Sequence, residues 1–236
     1  MNQLVVMALT AWGAGLTAFI GGVLASVEGS VDTTNKRELI HGIVAFGGGI
    51  LLAAIAFALI PEGAKELSPI ILALTFCVGG VTFCCLDEYV STRGGSKAQF
   101  MAMLMDFIPE AISLGAVFGR QHHLGVLLAL FIGAQNLPEG FNSFKEITAS
   151  NGKRGGALIA LAAISFLGPI AALGGHFFLK DHMQLTAGIM SFAAGGILYL
   201  IFQDIAPEST MRRRWTPPLG AVFGFMVGMI GNQLIG

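Results

Sequence analysis

Charged residues are scarce in this chain. They make up 11% of its 236 residues, whereas a soluble domain typically carries about 25%. Hydrophobic residues make up 54% of the chain, and the mean hydropathy is +0.75. Lys and Arg number 13 and Asp and Glu number 14, so the net charge is −1. This composition predicts an integral membrane protein surrounded by lipid, and it offers no basic patch that would bind nucleic acid.

Cysteine and histidine are also few, with three and five residues. Cys77, Cys84 and Cys85 lie in one apolar stretch without the spacing of a metal site. An intramembrane zinc protease needs an HExxH-type pair, which the sequence lacks. An aspartyl protease needs two facing Asp residues, whereas only Asp106 lies deep in an apolar run. We therefore expect that the protein is not an enzyme.

What the sequence does contain is a series of eight apolar runs of membrane-spanning length. They cover residues 3–26, 40–61, 69–90, 98–119, 124–144, 155–179, 185–207 and 216–235. The links between them are short, so we predict an all-α fold with a single transmembrane domain over residues 1–236. Because no basic segment precedes the first run, we expect no cleavable signal peptide.

Lys and Arg are unevenly shared between the two sides of an eight-helix arrangement. Ten of them fall on the side of the odd-to-even links: Lys36, Arg37, Arg93, Lys97, Lys145, Lys153, Arg154, Arg212, Arg213 and Arg214. The other three, Lys65, Arg120 and Lys180, fall on the opposite side. Basic links face the cytoplasm, so the sequence predicts a plasma or inner membrane protein with both termini outward.

The fourth and fifth runs carry acidic and amide side chains near their centres. Asp106 and Glu110 are four residues apart, as are Gln135 and Glu139, so each pair shares one helix face. Consecutive helices with a short link are antiparallel, so Asp106 should lie level with Glu139, and Glu110 with Gln135. A charge at the bilayer centre costs at least ~2.5–3.5 kcal/mol on insertion scales. Either a bound divalent cation or protons must compensate for three carboxylates there.

A proline accompanies each of these polar pairs. Pro109 cannot donate a hydrogen bond to the carbonyl of Met105, and Pro138 cannot donate one to that of Ala134. Irregular backbone at mid-membrane is tolerated where it lines a cavity, as in transporters. The two prolines therefore favour kinked helices beside a path for an ion.

Several stretches of the chain resemble the ZIP (Zrt-/Irt-like) family of metal transporters. "DFIPEA" and "QNLPEG" stand where that family has its "HNxPEG"-type units on helices four and five. "AFGGGILLAAIAFALIPEG" is similar to the second helix, "ISFLGPIAALGG" to the sixth and "SFAAGGILYLIFQDIAPES" to the seventh. The resemblance implies eight helices with an inverted repeat that relates the first three to the last three.

The resemblance also implies a metal site between helices four and five. Asp106 takes the place of the family's His, Glu110 and Glu139 take the places of its Glu residues, and Gln135 takes the fifth-helix His or Gln place. These four residues are the predicted metal ligands. Asn136 is a candidate ligand of a second position.

Other positions depart from the family pattern. Phe107 replaces the second-site Asn, Gly168 replaces the Glu of the sixth helix, and Leu51 stands where many members have Met. We therefore expect that the second metal position is lost. The primary site has only oxygen ligands, which suit harder cations than imidazole does. Zinc stays the first expectation on family grounds, with iron or manganese as alternatives.

The sequence also predicts a route from the site toward the inward side. Asn142 and Ser143 follow Glu139 along helix five, while Asp204 and Glu208 lie at the inward end of helix seven. The predicted function is transport of a divalent metal cation, as substrate, toward the cytoplasm. A metal-binding receptor or scaffold without transport, and a carrier of another cation, remain alternatives. A homodimer is left open.

Overall fold

The computed structural model describes residues 2–28, 33–93, 98–150 and 153–235. These residues form eight helical rods, so the all-α prediction is confirmed. The rods are α1 (Gln3–Val27), α2 (Thr34–Glu66), α3 (Pro69–Arg93), α4 (Ala98–Phe118), α5 (His122–Ala149), α6 (Arg154–Leu179), α7 (Met183–Glu208) and α8 (Leu219–Ile235). Lys97, which contributes to the predicted charge asymmetry, lies outside the described residues.

Six of the described rods are long and apolar enough to cross a membrane. They are α1, α2, α3, α5, α6 and α7. The rod α8 is apolar but only 17 residues long, and α4, which carries Asp106 and Glu110, is not among the six. Multiple spans are therefore established by length and composition, while a full set of eight spans stays a prediction.

Two rods contain a wide helical turn shortly before a proline. In α2, a π-helical turn at Ile55–Leu59 precedes Pro61, and in α7 one at Ile201–Ile205 precedes Pro207. Proline has no N–H to donate to the carbonyl four residues earlier. In each rod the residue that follows the π turn instead donates its N–H to the carbonyl five residues back. The backbone thus absorbs the proline without ending the rod.

Helix α6 is interrupted, whereas α4 and α5 are not. The α-helix stops at Ser165 and resumes at Leu167, and Pro169 cannot donate a hydrogen bond to the Ser165 carbonyl. Pro109 and Pro138 instead lie inside continuous helices. The irregular backbone that we predicted around the polar pairs is therefore found in α2, α6 and α7, which flank the α4–α5 pair.

The rods pack in matched pairs. Helix α1 packs on α5 as α6 packs on α4, and α2 packs on α8 as α7 packs on α3. If α1, α2 and α3 are exchanged with α6, α7 and α8 in that order, and α4 is exchanged with α5, each packed pair is converted into its counterpart. This is the contact pattern expected of the predicted inverted repeat.

Glycines allow the closest of these contacts. A Cβ atom at Gly140 of α5 would lie 2.0 Å from the Ala18 carbonyl oxygen of α1. In the matched pair, a Cβ atom at Gly175 of α6 would lie 2.0 Å from the Ile112 carbonyl oxygen of α4. Backbones can approach this closely only where the side chain is absent. The central pair α4–α5 is thereby held against α1 on one side and α6 on the other.

Candidate metal site

The four predicted ligands lie inside the bundle, at the contact between α4 and α5. Asp106, Glu110 and Gln135 are each no more than 4% exposed, and Glu139 is partly buried. Gln135 Nε2 donates a hydrogen bond to Glu110 Oε2 at 2.7 Å. The carboxyl groups of Asp106 and Glu139 lie within hydrogen-bonding reach of one another. The structure thus forms the two side-by-side pairs that the antiparallel arrangement predicts.

Several acceptor oxygens at this site have no donor among the described residues. Asp106 Oδ1, Gln135 Oε1 and Glu139 Oε2 are all buried without a hydrogen-bond partner. Each such group in a folded protein calls for a compensating interaction. Carboxylate and amide oxygens are ligands that hard divalent cations accept. The chemistry of this donor set therefore fits a cation better than it fits a packed core.

The described conformation does not bring all four side chains around one point. In the part of the chain that the structure describes, no group of three or more His, Cys, Asp and Glu side chains is arranged to hold a metal ion. Glu110 is engaged by the Gln135 amide, while Asp106 and Glu139 face each other. A cation shared by all four would require Gln135 to turn its carbonyl oxygen, rather than its NH₂ group, toward the ion.

A narrow cavity of about 50 Å³ leads away from these residues. Asp106, Gln135 and Glu139 line its inner part, and Asp204 and Glu208 line its outer part. Its walls come from α2, α4, α5 and α7. The cavity therefore runs to the end of the bundle that carries Lys36, Arg37, Lys145, Lys153, Arg154, Arg212, Arg213 and Arg214, which we call the basic end.

Not all of the predicted route residues line this cavity. Asn142 does, and its Nδ2 donates to Glu208 Oε2 at 3.3 Å. Ser143 is fully buried and is not among the lining residues. Asn136 is also fully buried, and its Nδ2 donates to the Ala14 carbonyl of α1 at 3.1 Å. Asn142, Asp204 and Glu208 therefore line the cavity, whereas Ser143 and the candidate second-position ligand Asn136 do not.

An aromatic ring fills the space beside the site where α1 and α6 approach α4. A Cβ atom at Gly15 or at Gly168 would lie 2.9 Å from Phe107 Cζ. At Gly168 it would also lie 2.7 Å from the Ala11 carbonyl oxygen. A glutamate at position 168 has no room beside this ring. The packed Phe107 side chain would leave no space for a second metal position, whose loss stays a prediction.

Three further polar residues near the cavity were not predicted to take part in the site. Tyr199 of α7 donates its hydroxyl to Asp87 Oδ2 of α3 at 3.0 Å, and Asp87 lies close enough to Asp204 to interact electrostatically. His41 Nδ1 contacts the Glu208 carbonyl oxygen. In the sequence, Asp87 is a carboxylate near the end of an apolar run. That position alone is equally typical of a residue at the membrane surface, so it did not indicate a role at the cavity.

At the opposite end of the bundle, polar contacts join α2 to the link between α4 and α5. Gln121 Nε2 donates to Glu62 Oε2 at 2.9 Å, and Lys65 pairs with the same carboxylate. A small cavity of about 40 Å³ there includes Glu62 and Arg120 and shares no lining residue with the cavity at the basic end. The described conformation therefore opens the site toward the basic end.

These features define a polytopic helical membrane protein with a carboxylate and amide site buried between its two central helices. Over 155 residues the chain is 31% identical to "Zinc transporter GufA" from Myxococcus xanthus. The aligned part is 64% of this chain and 60% of that relative's length. The chain is thus a distant homologue of a ZIP-family zinc transporter, as the sequence motifs predicted. This homology is to a transporter rather than to an enzyme family. No family model matches the chain.

Proposed function

We propose that this protein transports a divalent metal cation across the membrane toward the side of its basic end. Zinc is the first candidate substrate, and iron and manganese are the alternatives. One observation carries the proposal: acceptor oxygens of Asp106, Gln135 and Glu139 are buried without donors at the closed end of a cavity that reaches the basic end. A passing cation would supply the missing interaction at that depth.

The four residues of the α4–α5 pair have distinct roles in this proposal. Asp106 and Glu139 provide the carboxylate oxygens that face the cavity. Glu110 provides a third carboxylate, which does not line the cavity and is hydrogen-bonded to Gln135. Gln135 exchanges its hydrogen bond to Glu110 for coordination through its carbonyl oxygen. Release then proceeds along the cavity past Asp204 toward Glu208, which keeps a carboxylate within reach at each stage.

Two observations bear on the identity of the metal: the name of the relative and the chemistry of the donor set. The relative from Myxococcus xanthus is named a zinc transporter, which favours zinc. The donor set contains carboxylate and amide oxygens and no imidazole, and such ligands suit manganese and other hard cations. Because affinity at most sites still rises from manganese to zinc, zinc stays first.

Alternating exposure of the site needs elements that can move beside a stationary pair. The matched π turns of α2 and α7 lie next to the α4–α5 pair, and α2 contributes Gly47 and Gly48 to the cavity wall. We propose that α2 and α7 open the path at the basic end and close it at the other, as counterparts in the inverted repeat. With the basic end cytoplasmic, both termini face outward.

Uptake into proteoliposomes tests the proposal. Purified protein is reconstituted with a metal-sensitive dye inside, and zinc, iron(II), manganese and magnesium are added outside one at a time. We expect zinc-dependent signal above that of protein-free liposomes. Saturable zinc binding to the protein without uptake would favour the receptor or scaffold alternative, and uptake of a monovalent cation unaffected by zinc would favour a carrier of another cation.

A further inference from the structure

The link between α7 and α8 folds into a tight turn at the basic end. Met211 and Arg214 form an antiparallel bridge, and the Arg214 N–H donates to the Met211 carbonyl at 3.1 Å. Arg212 and Arg213 therefore occupy the two central positions of the turn. Arg213 has a φ of 62°, in the left-handed region that residues other than glycine rarely adopt. The turn thus carries two arginines at its tip.

The base of this turn is tied to the first turns of helix α2. Arg214 Nη1 lies 3.4 Å from Glu38 Oε2, and the Thr216 hydroxyl donates a hydrogen bond to Glu38 Oε1. Glu38 therefore offsets the charge of Arg214. Arg212 and Arg213 are exposed, and neither forms an ion pair with a residue that the structure describes. The tip of the turn keeps two positive charges.

An exposed indole and then exposed apolar side chains follow the two arginines. Trp215 is 88% exposed, and tryptophan is enriched where a membrane meets water. Leu219 and Val222 lie three residues apart on one face of α8, and they are 50% and 62% exposed. Charge, indole and apolar surface succeed one another in the order of headgroup, interface and hydrocarbon in a bilayer. This order indicates that the turn lies at the level of the lipid headgroups.

We propose that the turn at residues 211–215 binds anionic phospholipid headgroups of the leaflet at the basic end. Arg212 and Arg213 donate hydrogen bonds to headgroup phosphates, because a guanidinium matches a phosphate with two parallel donors. The Trp215 ring rests on the upper part of the acyl chains, while its N–H remains among polar groups. A headgroup with net negative charge is attracted to the two arginines, whereas a zwitterionic headgroup is not.

Bound lipid would also act on the elements that border the candidate metal site. Glu208 lines the cavity and lies three residues before Met211, and Glu38 joins the turn to α2. Headgroups held by the turn would therefore fix the ends of α2 and α7 at the membrane surface. This coupling rests on the proposed transport function, whereas lipid binding itself does not.

Tryptophan fluorescence can report on this turn alone, because the chain has only two tryptophans. Trp12→Phe removes the other one, and it sacrifices no hydrogen bond within the described residues because Trp12 Nε1 is buried without a partner. The full-length Trp12→Phe protein is reconstituted into phosphatidylcholine liposomes. These contain increasing fractions of either phosphatidylglycerol or phosphatidylcholine that is brominated near the headgroup end of one acyl chain.

Bromine quenches a tryptophan that it contacts, so the loss of emission shows which lipid lies beside Trp215. We expect half-maximal quenching at a fraction of brominated phosphatidylglycerol on the order of tenfold lower than that of brominated phosphatidylcholine, since each arginine near the surface adds charge attraction. Sodium chloride at high concentration should remove this preference, because the screening length falls to about 3 Å at 1 M.

Two double variants in the Trp12→Phe background locate the effect. Arg212→Gln with Arg213→Gln should give the same quenching curve for both lipids. Lys153→Gln with Arg154→Gln is the matched control, because it removes the same charge from two exposed residues at the start of α6 and at the same end of the bundle. This control should keep the preference for phosphatidylglycerol. A monodisperse size-exclusion profile shows that each variant is folded.

Three results would overturn the proposal. The first is equal quenching by the two brominated lipids when the turn is unaltered. The second is no quenching by either lipid, with Trp215 as accessible to acrylamide as free tryptophan, which would place the turn in water. The third is a loss of preference in the Lys153/Arg154 control as large as that in the Arg212/Arg213 variant, which would assign the attraction to the overall charge of the basic end.

Discussion

Asp106 sets the chemistry of the candidate site at the scale of single residues. It stands where the ZIP pattern has a histidine, and it leaves a donor set made only of carboxylate and amide oxygens. Its Oδ1 atom is buried without a hydrogen-bond donor. Because imidazole favours zinc over manganese more strongly than a carboxylate does, this residue should control the preference between the two metals.

We predict that Asp106→His raises zinc uptake relative to manganese uptake by on the order of tenfold, because an imidazole nitrogen replaces a carboxylate oxygen as one ligand. The measurement is the ratio of initial uptake rates in proteoliposomes. Asp106→Asn serves as the control, because it keeps an oxygen ligand and should not move the ratio toward zinc. An unchanged ratio in Asp106→His would remove Asp106 from the ligand set.

We predict that Glu110→Ala and Glu139→Ala each lower divalent uptake by on the order of 100-fold, since each removes a carboxylate that the ion requires at depth. Asp181→Ala is the control, because Asp181 is an exposed carboxylate in the α6–α7 link. Reconstitution efficiency is checked by protein content per liposome. Uptake by either Glu variant at the rate of Asp181→Ala would mean that the ion crosses elsewhere.

The sequence predicts which residues of the site are neighbours but not how they bond. Spacing of four residues on two antiparallel helices is enough to place Glu110 beside Gln135 and Asp106 beside Glu139. The hydrogen bond from Gln135 to Glu110 and the position of the Phe107 ring depend on side-chain rotamers chosen by contacts with α1 and α6. Such contacts join residues distant in sequence, so no local pattern reports them.

At the scale of elements, the helices flanking the site carry the irregular backbone. Predicted boundaries agree with the rods to within a few residues for most helices, but α2 extends to Thr34–Glu66 rather than 40–61. Its polar first turn is helical because the Thr33 side chain accepts a hydrogen bond from the Lys36 N–H. The π turns were not predicted. A proline in the sequence shows that one backbone hydrogen bond of the helix is missing, but it does not show which hydrogen bond forms instead.

We predict that Gly175→Ala destabilises the protein, because its Cβ atom would lie 2.0 Å from the Ile112 carbonyl oxygen and α6 would have to move off α4. Overpacking of this kind costs about 1–3 kcal/mol. The adjacent Gly174→Ala is a matched control, because nothing lies within 4 Å of its Cβ position. Thermal unfolding in detergent should show a lower midpoint for Gly175→Ala alone. Equal midpoints would mean that the α4–α6 contact tolerates a wider spacing.

At the scale of the whole molecule, the paired contacts relate the two halves of the chain. The resemblance to the ZIP family implied an inverted repeat, and the matched packing of α1 on α5 and of α6 on α4 agrees with it. Composition and the length of the apolar runs were enough to predict a helical membrane bundle. They were not enough to predict that the bundle opens at the basic end, because that depends on how α2 and α7 sit against the central pair.

We predict that epitope tags at the N-terminus and at the C-terminus are both labelled by antibody on intact cells, because the basic links face the cytoplasm. A tag placed after Ser150, in the α5–α6 link, should be labelled only after permeabilisation. Labelling of one terminus but not the other would require an odd number of spans. Labelling of the Ser150 tag on intact cells would reverse the proposed direction of transport.

The central claim is that oxygens of the α4–α5 pair bind a divalent cation inside the membrane. A crystal of the zinc-loaded protein, measured at the zinc absorption edge, tests it most directly. We predict an anomalous peak about 2.0–2.2 Å from carboxylate oxygens of Asp106, Glu110 and Glu139, with the Gln135 amide turned away from Glu110. A peak at His41 or at the His122–His123 pair, with none between α4 and α5, would contradict the account.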